Sequence, residues 1–252
     1  MRISTIKKSI NKIVPLIVII LLWALLSYMI DKAIIVPGPL STFKKLISLL
    51  GEEDFLFVVL STLRRVFLGF AISLFLGTLL GILSGIFKKV NYLVNPFFQI
   101  VRTVPTIAVI MIAIIWLDDK ASLLVSFLVV FPVIYTSVLG GVKSVDPNLL
   151  AMADLYNVGF FTKVKGLYFP SVFPYLFVGI RTAISLGIKS TIAAEVISQP
   201  MGAIGSNMQQ FKINFDIEGV FAWVIVIILI SYAIDLLLGK IQNRFEDWKE
   251  KL

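Results

Sequence analysis

The sequence predicts an all-α transmembrane fold with six spanning helices and both termini on the inner side. Three observations carry this. First, the 252 residues are 58% hydrophobic and only 15% charged, with a mean hydropathy of +0.97; a soluble domain carries about a quarter charged residues. Second, the apolar residues gather into runs of bilayer length, separated by short polar segments rich in Gly and Pro. Third, Lys and Arg flank those runs, with roughly twice as many on the segments that six spans place inside as on those outside, the asymmetry of the positive-inside rule.

In chain order, residues 1–12 form a basic inner tail with Arg2, Lys7, Lys8 and Lys12. Ile13–Ile30 is an apolar run of about 18 residues, just long enough to cross. It is long for a signal peptide and no A-x-A site follows, so a retained first span is expected. This span and an outer loop occupy 13–60. Ser41 is expected to cap an amphipathic outer segment, Thr42–Leu50. The core unit of the chain is expected over 61–240. Its first span, roughly Leu63–Phe87, carries Gly69, Gly77, Gly81 and Gly85 on one face, where another backbone can approach. Lys88 and Lys89 mark the inner end. Asn91–Val101 reads as an elbow, broken by Arg102–Pro105 before a short third span, Thr106–Leu117.

Proline-broken backbone at membrane depth is tolerated only beside protein or a wet path, which makes Pro105 either a candidate wall of a translocation path or an ordinary bend. Asp118, Asp119 and Lys120 form an outer turn. The fourth span, Ala121–Gly141, contains Pro132. The fifth runs from about Val172 to Ile197, followed by a long outer segment, Ser198–Asp216, and a sixth span over about Glu218–Gly239. Residues 241–252 are an inner tail. Asp235, near the inner end of the sixth span and within a turn or so of Lys240, is expected in a local ion pair or an interface.

Composition excludes several functions. The net charge of +8 suits a membrane surface, not nucleic acid, because the cations flank apolar runs. Cys and His are both absent, which removes disulfides, thiolate or imidazole metal sites and His-based triads. No GxxxxGK[ST] is present, so the chain holds no P-loop.

The stretch Asp146–Glu195 organises the rest. Asp146 is expected to N-cap a helix that opens on Pro147. The helix Asn148–Tyr156 should end at Asn157, which tolerates the left-handed C′ conformation. A second segment, Phe160–Phe169, carries Lys163 and Lys165 and is expected to stop at Pro170. This polar helix–turn–helix between two apolar runs, at 146–169, suits docking of a partner on the inner side.

These residues resemble the EAA loop of permease subunits of binding-protein-dependent ABC importers, in particular the branch handling nitrate, sulfonates, taurine and thiamine-precursor pyrimidines. The matching residues are VDPNLL, Phe160 and Phe161, Pro170, Pro174, Gly179 and Arg181, and AAE at Ala193–Glu195. The likeness extends to VPGPLSTFKKL at 36–46, STLRRVFLGFAISLFLGTLLGILSG at 61–85 and FDIEGVFAWVIVI at 215–227. Two positions depart from the motif: Ala151 stands where the family has an acid, and Asn157 where it has a glycine.

The resemblance implies a type I ABC importer permease in the cell membrane, working with a second copy or close relative. Two ATPase subunits would hold ATP and Mg inside, with no cofactor in this chain. A solute-binding protein would dock outside. The coupling residues so implied are Leu150, Ala151, Ala153, Asp154, Leu155, Asn157, Phe160, Phe161 and Lys163, with Leu150, Leu155, Phe160 and Phe161 as exposed anchors.

Span five carries ionisable residues that are costly in lipid. At 100° per residue from Arg181, Ser185 lies near 40°, Lys189 near 80° and Glu195 near −40°. One polar stripe of this kind suits a translocation path tolerant of an anion; it equally suits Arg181 snorkelling inward, Glu195 at the outer interface and Lys189 paired with an acid of a neighbouring subunit. The resembling family has an apolar or aromatic residue at the position of Lys189, which makes Lys189 the candidate for discriminating between solutes. Two alternatives fit the same residues: a membrane-embedded enzyme using Glu195 with Lys189, and a passive channel without any ATPase.

Overall fold

The computed structural model describes residues 2–249, with side chains described within 14–242 except residue 16. Among these residues all regular structure is helical. Four helical stretches are long and apolar enough to cross a membrane: Phe55–Ile86, Thr106–Lys143, Phe160–Ser198 and Ile217–Gln242, with Ile17–Ile30 a shorter apolar stretch. Basic residues of the first and last tails lie outside the described side chains.

Contacts divide the chain into two compact units, one holding the residues up to Leu56 with Asn207–Leu229, the other Phe57–Ser206 with the residues from Ile230 on. In the first, α1 (Arg2–Ile30) and α2 (Pro39–Leu50) are tied by side chains that satisfy the connecting backbone. Trp23 Nε1 donates to the Pro37 carbonyl at 3.0 Å, and Ser27 Oγ to that of Val36 at 3.0 Å. The Trp23 and Phe221 rings stack at 5.7 Å, and those of Phe55 and Trp223 at 5.5 Å. Lys45 pairs with Asp216 at 2.6 Å and lies 4.9 Å over the Phe211 ring. The expected Ser41 cap is corrected here. The helix already opens at Pro39 after Gly38, because proline's fixed φ and missing N–H suit the first turn. Ser41 Oγ instead donates back to the Gly38 carbonyl.

The second unit is built on α3 (Phe55–Ile86), which starts before the expected Leu63. The glycine face predicted on it is a packing face. A Cβ built on Gly69 would lie 2.6 Å from Ser126 Cβ; on Gly77, 2.9 Å from Ile134 Cγ2; on Gly81, 2.8 Å from Val138; and on Gly85, 2.3 Å from Val142 Cγ1. The partners, like the glycines, recur at four- and eight-residue spacing, so two helix backbones run in close contact. Ser73, at the intervening position, donates to the carbonyls of Gly69 and Phe127.

Helices α4 (Lys88–Thr103) and α5 (Thr106–Leu117) are separated by Val104 and Pro105 in extended conformation. The third predicted span has the expected bounds, but its 12 residues reach only about 18 Å at 1.5 Å per residue. A 3₁₀ turn, Asp118–Lys120, links it to α6 (Ala121–Lys143), with Asp118 at φ 47°. Val130, Ile134, Val138 and Val142 of α6 form a core with Val172 and Ala183.

After α7 (Pro147–Leu155) and α8 (Phe160–Lys163), the expected stop at Pro170 is not present. A π turn, Val164–Tyr168, leads straight into α9 (Phe169–Ser198), and the Phe169 N–H reaches back to the Val164 carbonyl. The wider turn lets the continuous helix pass Pro170, at the loss of the one backbone bond its missing N–H would have made. The long segment Ser198–Asp216 contains a helix, α10 (Ile204–Ile213), and α11 (Ile217–Lys249) continues past Gly239.

Candidate functional site

The polar loop between α6 and α9 is a rigid platform with an apolar exposed face. Asp146 accepts from the Asn148 N–H at 2.8 Å, so the N-cap is made as expected. At the other end Asn157 adopts φ 51°. Its N–H bonds the Asp154 carbonyl at 3.0 Å, and the Val158 N–H bonds that of Ala153 at 2.9 Å. These two bonds are the Schellman pattern. Lys163 then ion-pairs with Asp154, closing α8 onto α7.

On this platform Leu155 is 78% exposed, Tyr156 75% and Phe161 86%. Leu149 and Met152 are also exposed. Together with Leu155 and Tyr156 they share one face at spacings of three and four residues. Ala151 is exposed and Asn157 lies at the exposed turn, whereas Ala153 is buried and Leu150 half-buried. Leu150, expected among the anchors, therefore faces inward more than Met152 and Tyr156 do. Those two were missed, although their spacing within a short polar helix was readable. Phe160 is half covered because its ring stacks on Phe87 at 6.4 Å, leaving Phe161 as the more prominent ring.

The residues expected to share a stripe on α9 separate into three environments. Glu195 is fully buried and accepts from Thr62 Oγ1 at 3.0 Å, Arg65 Nη1 at 3.2 Å and the Gly205 N–H at 3.2 Å. Thr62 Oγ1 also accepts from the Ile204 N–H, and Arg65 Nη2 donates to the Met201 carbonyl. One carboxylate thus ties the segment after α9 to α3. Neither Thr62 nor Arg65 was singled out in the sequence.

Arg181 grips Asp235 with both Nε and Nη2, at 3.0 and 2.8 Å to Oδ1. Nη2 also reaches Oδ2 at 2.9 Å, and Nη1 reaches Gln242. Asp235 therefore pairs across helices and not with Lys240; the guanidinium fork offers a better fit than a neighbour on the same helix. Ser185 lines a small cleft with Arg181, Ser231 and Asp235. Lys189 is exposed and, among the described residues, has no ion pair or hydrogen bond.

Pro105 is exposed, between two residues that line a cleft of about 480 Å³. Arg102, Thr106 and Thr136 are polar residues of its lining, which also includes Val109, Val125 and Val129. Among the described residues no group of three or more acids is placed to hold a metal.

The chain is similar to known proteins over most of its length. Residues 77–247 match the family described as binding-protein-dependent transport system inner membrane component. A probable ABC transporter permease protein of Brucella abortus is 29% identical over 221 residues, covering 87% of this chain and 88% of the relative. A putative aliphatic sulfonates transport permease protein of Bacillus subtilis is 26% identical over 238 residues, 92% of this chain and 85% of the relative. The taurine transport system permease protein of Escherichia coli is 25% identical over 236 residues, 90% and 84% respectively. A crystal structure of an amino acid ABC transporter with histidines has a TM-score of 0.61 at 15% identity, covering 77% of this chain and 93% of that one, a likeness of fold.

Proposed function

Because the chain belongs to the binding-protein-dependent transport system inner membrane component family, we propose that it is the permease half of an ATP-driven importer for a small sulfonate-like anion. That it is a multi-pass membrane component of an ABC transporter, and not an enzyme, follows from the family and its relatives. The rest is our reading. Six crossings leave both termini inside, and the chain works with a second copy or a close relative. Two ATPase subunits bind ATP and Mg and engage the loop 146–169. A solute-binding protein delivers the solute from outside.

The observation that carries this reading is the exposed apolar face of α7 with Phe161, held rigid by the Asp146 cap, the Asn157 turn and the Lys163–Asp154 pair. An exposed apolar patch rimmed by polar residues, lying between the apolar stretches Thr106–Lys143 and Phe160–Ser198 and at the first turn of the latter, is of the kind that inserts into a partner's groove. ATP hydrolysis there rocks the permease halves between inward- and outward-facing states. A passive channel has no use for such a platform. The enzyme alternative also lacks support, since Glu195 pairs with Arg65 and Thr62 and not with Lys189. The sulfonate reading rests on the relatives' solutes.

The test is uptake of radiolabelled taurine and methanesulfonate by proteoliposomes holding the permease, its ATPase and its binding protein. ATP-dependent accumulation of either is expected; equilibration without ATP would identify a channel instead.

A further inference from the structure

The ionisable residues of the expected α9 stripe are mostly paired. Arg181 is neutralised by Asp235, and Glu195 by Arg65. Lys189 is unpaired but does not line the large cleft beside Pro105. The cleft has its own cation. Arg102 is the charged residue in its lining, with no acid there to oppose it. Among the described residues Arg102 makes no ion pair or hydrogen bond, and the Thr106 hydroxyl makes none either. Thr136, also in the lining, donates to the carbonyls of Pro132 and Val133 one turn back on its own helix, so its proton is committed. Two donor groups, Arg102 and Thr106, therefore stand free among the described residues in the lining of a cleft that Val109, Val125, Leu128 and Val129 also line.

We propose that Arg102 and Thr106 form the subsite that receives the charged head of a small oxyanion, with its alkyl part on the valine wall. The guanidinium offers a planar fork that suits two oxygens of a sulfonate or carboxylate. Low-dielectric walls strengthen that attraction relative to water. A volume of about 480 Å³ lies within the range of pockets for small molecules. The extended Val104–Pro105 break holds Arg102 on α4 and Thr106 on α5 at the same cleft. The assignment rests on the importer reading and moves solute discrimination from Lys189 to Arg102.

The chain contains no cysteine, so a single Thr136→Cys places one thiol in the cleft. In nanodiscs, its modification rate is measured with an anionic reagent, methanethiosulfonate ethylsulfonate, and with the cationic trimethylammonium analogue. Each rate is divided by the same reagent's rate with a free thiol in solution. The anionic reagent should be favoured about tenfold, and Arg102→Gln should bring the two rates to within about twofold. Arg102→Lys should keep the preference, and methanesulfonate should slow labelling where choline does not.

Equal rates with Arg102 present, or a preference untouched by Arg102→Gln, overturn the proposal. So does labelling slowed by phosphatidylglycerol and not by methanesulfonate, which would make this a lipid-headgroup site. If Arg102→Gln fails to fold, Arg102→Lys and the methanesulfonate competition still decide. No ATPase is needed for the labelling. An anion-selective cleft without ATP-driven uptake would sink the importer reading alone; uptake with an unselective cleft would sink this one alone.

Discussion

Arg65 donates to Glu195 at 3.2 Å across 130 residues of sequence, and the carboxylate it meets is fully buried. With Thr62 and the Gly205 N–H completing the shell, the pair fastens the segment after α9 onto α3. Removing Arg65 leaves a buried charge with one neutral side-chain partner. Arg65→Ala should cost about 3–5 kcal/mol, and the double variant with Glu195→Gln appreciably less. Thermal melts in detergent check this; additive losses from the two substitutions would contradict the pairing.

The glycine face of α3 predicts a second-site rescue. Gly85→Ala drives a methyl into Val142 and should destabilise by about 1–3 kcal/mol. Adding Val142→Ala should recover most of it. Gly239, which has nothing within 4 Å of a built Cβ, is the control: Gly239→Ala should be neutral or stabilising by up to about 1 kcal/mol.

Lys45 and Asp216 give a pH dependence. Burial pushes the Asp216 carboxyl up, but the hydrogen bonds from Lys45 and the Gly219 N–H, with the Lys45 charge, outweigh it and hold the group below its ordinary value of 3.8. The stability so contributed is fully present above that ordinary value and lost as pH falls through the depressed one. Asp216→Asn should therefore lower the melting temperature at neutral pH, and the gap from the parent should close in acid. A gap that persists unchanged at low pH would refute the assignment.

Asn157 holds a left-handed turn that a β-branched side chain resists. Asn157→Gly should leave the loop intact, whereas Asn157→Val should cost roughly 1–2 kcal/mol locally. Protease nicking of the loop in proteoliposomes reads this directly, with faster cleavage of the valine variant expected.

What the sequence made legible was local. The Asp146 cap, Pro147 at the first turn and left-handed Asn157 each depend on one residue's own chemistry, and so does the break at Pro105 before Thr106. The glycine face was legible too, because its period is that of the helix itself. What failed depended on partners far along the chain or on accommodation by a neighbour. The polar stripe on α9 dissolved because Glu195 finds Arg65, and Arg181 finds Asp235 at a separation of 54 residues. Pro170 did not stop its helix because a π turn takes up the misfit before it. Helix α10 was not distinguished within the outer segment Ser198–Asp216, where the Gly205 N–H at its start has a partner in Glu195.

The docking claim is tested most directly by purifying the permease with its ATPase subunits, comparing the intact chain with one carrying Phe160→Asp and Phe161→Asp. Retention of the ATPase by the intact chain and its release by the variant, with unchanged melting of the permease itself, is the result expected of an exposed anchor. Equal retention by both, or no ATPase held by the intact chain, would contradict it.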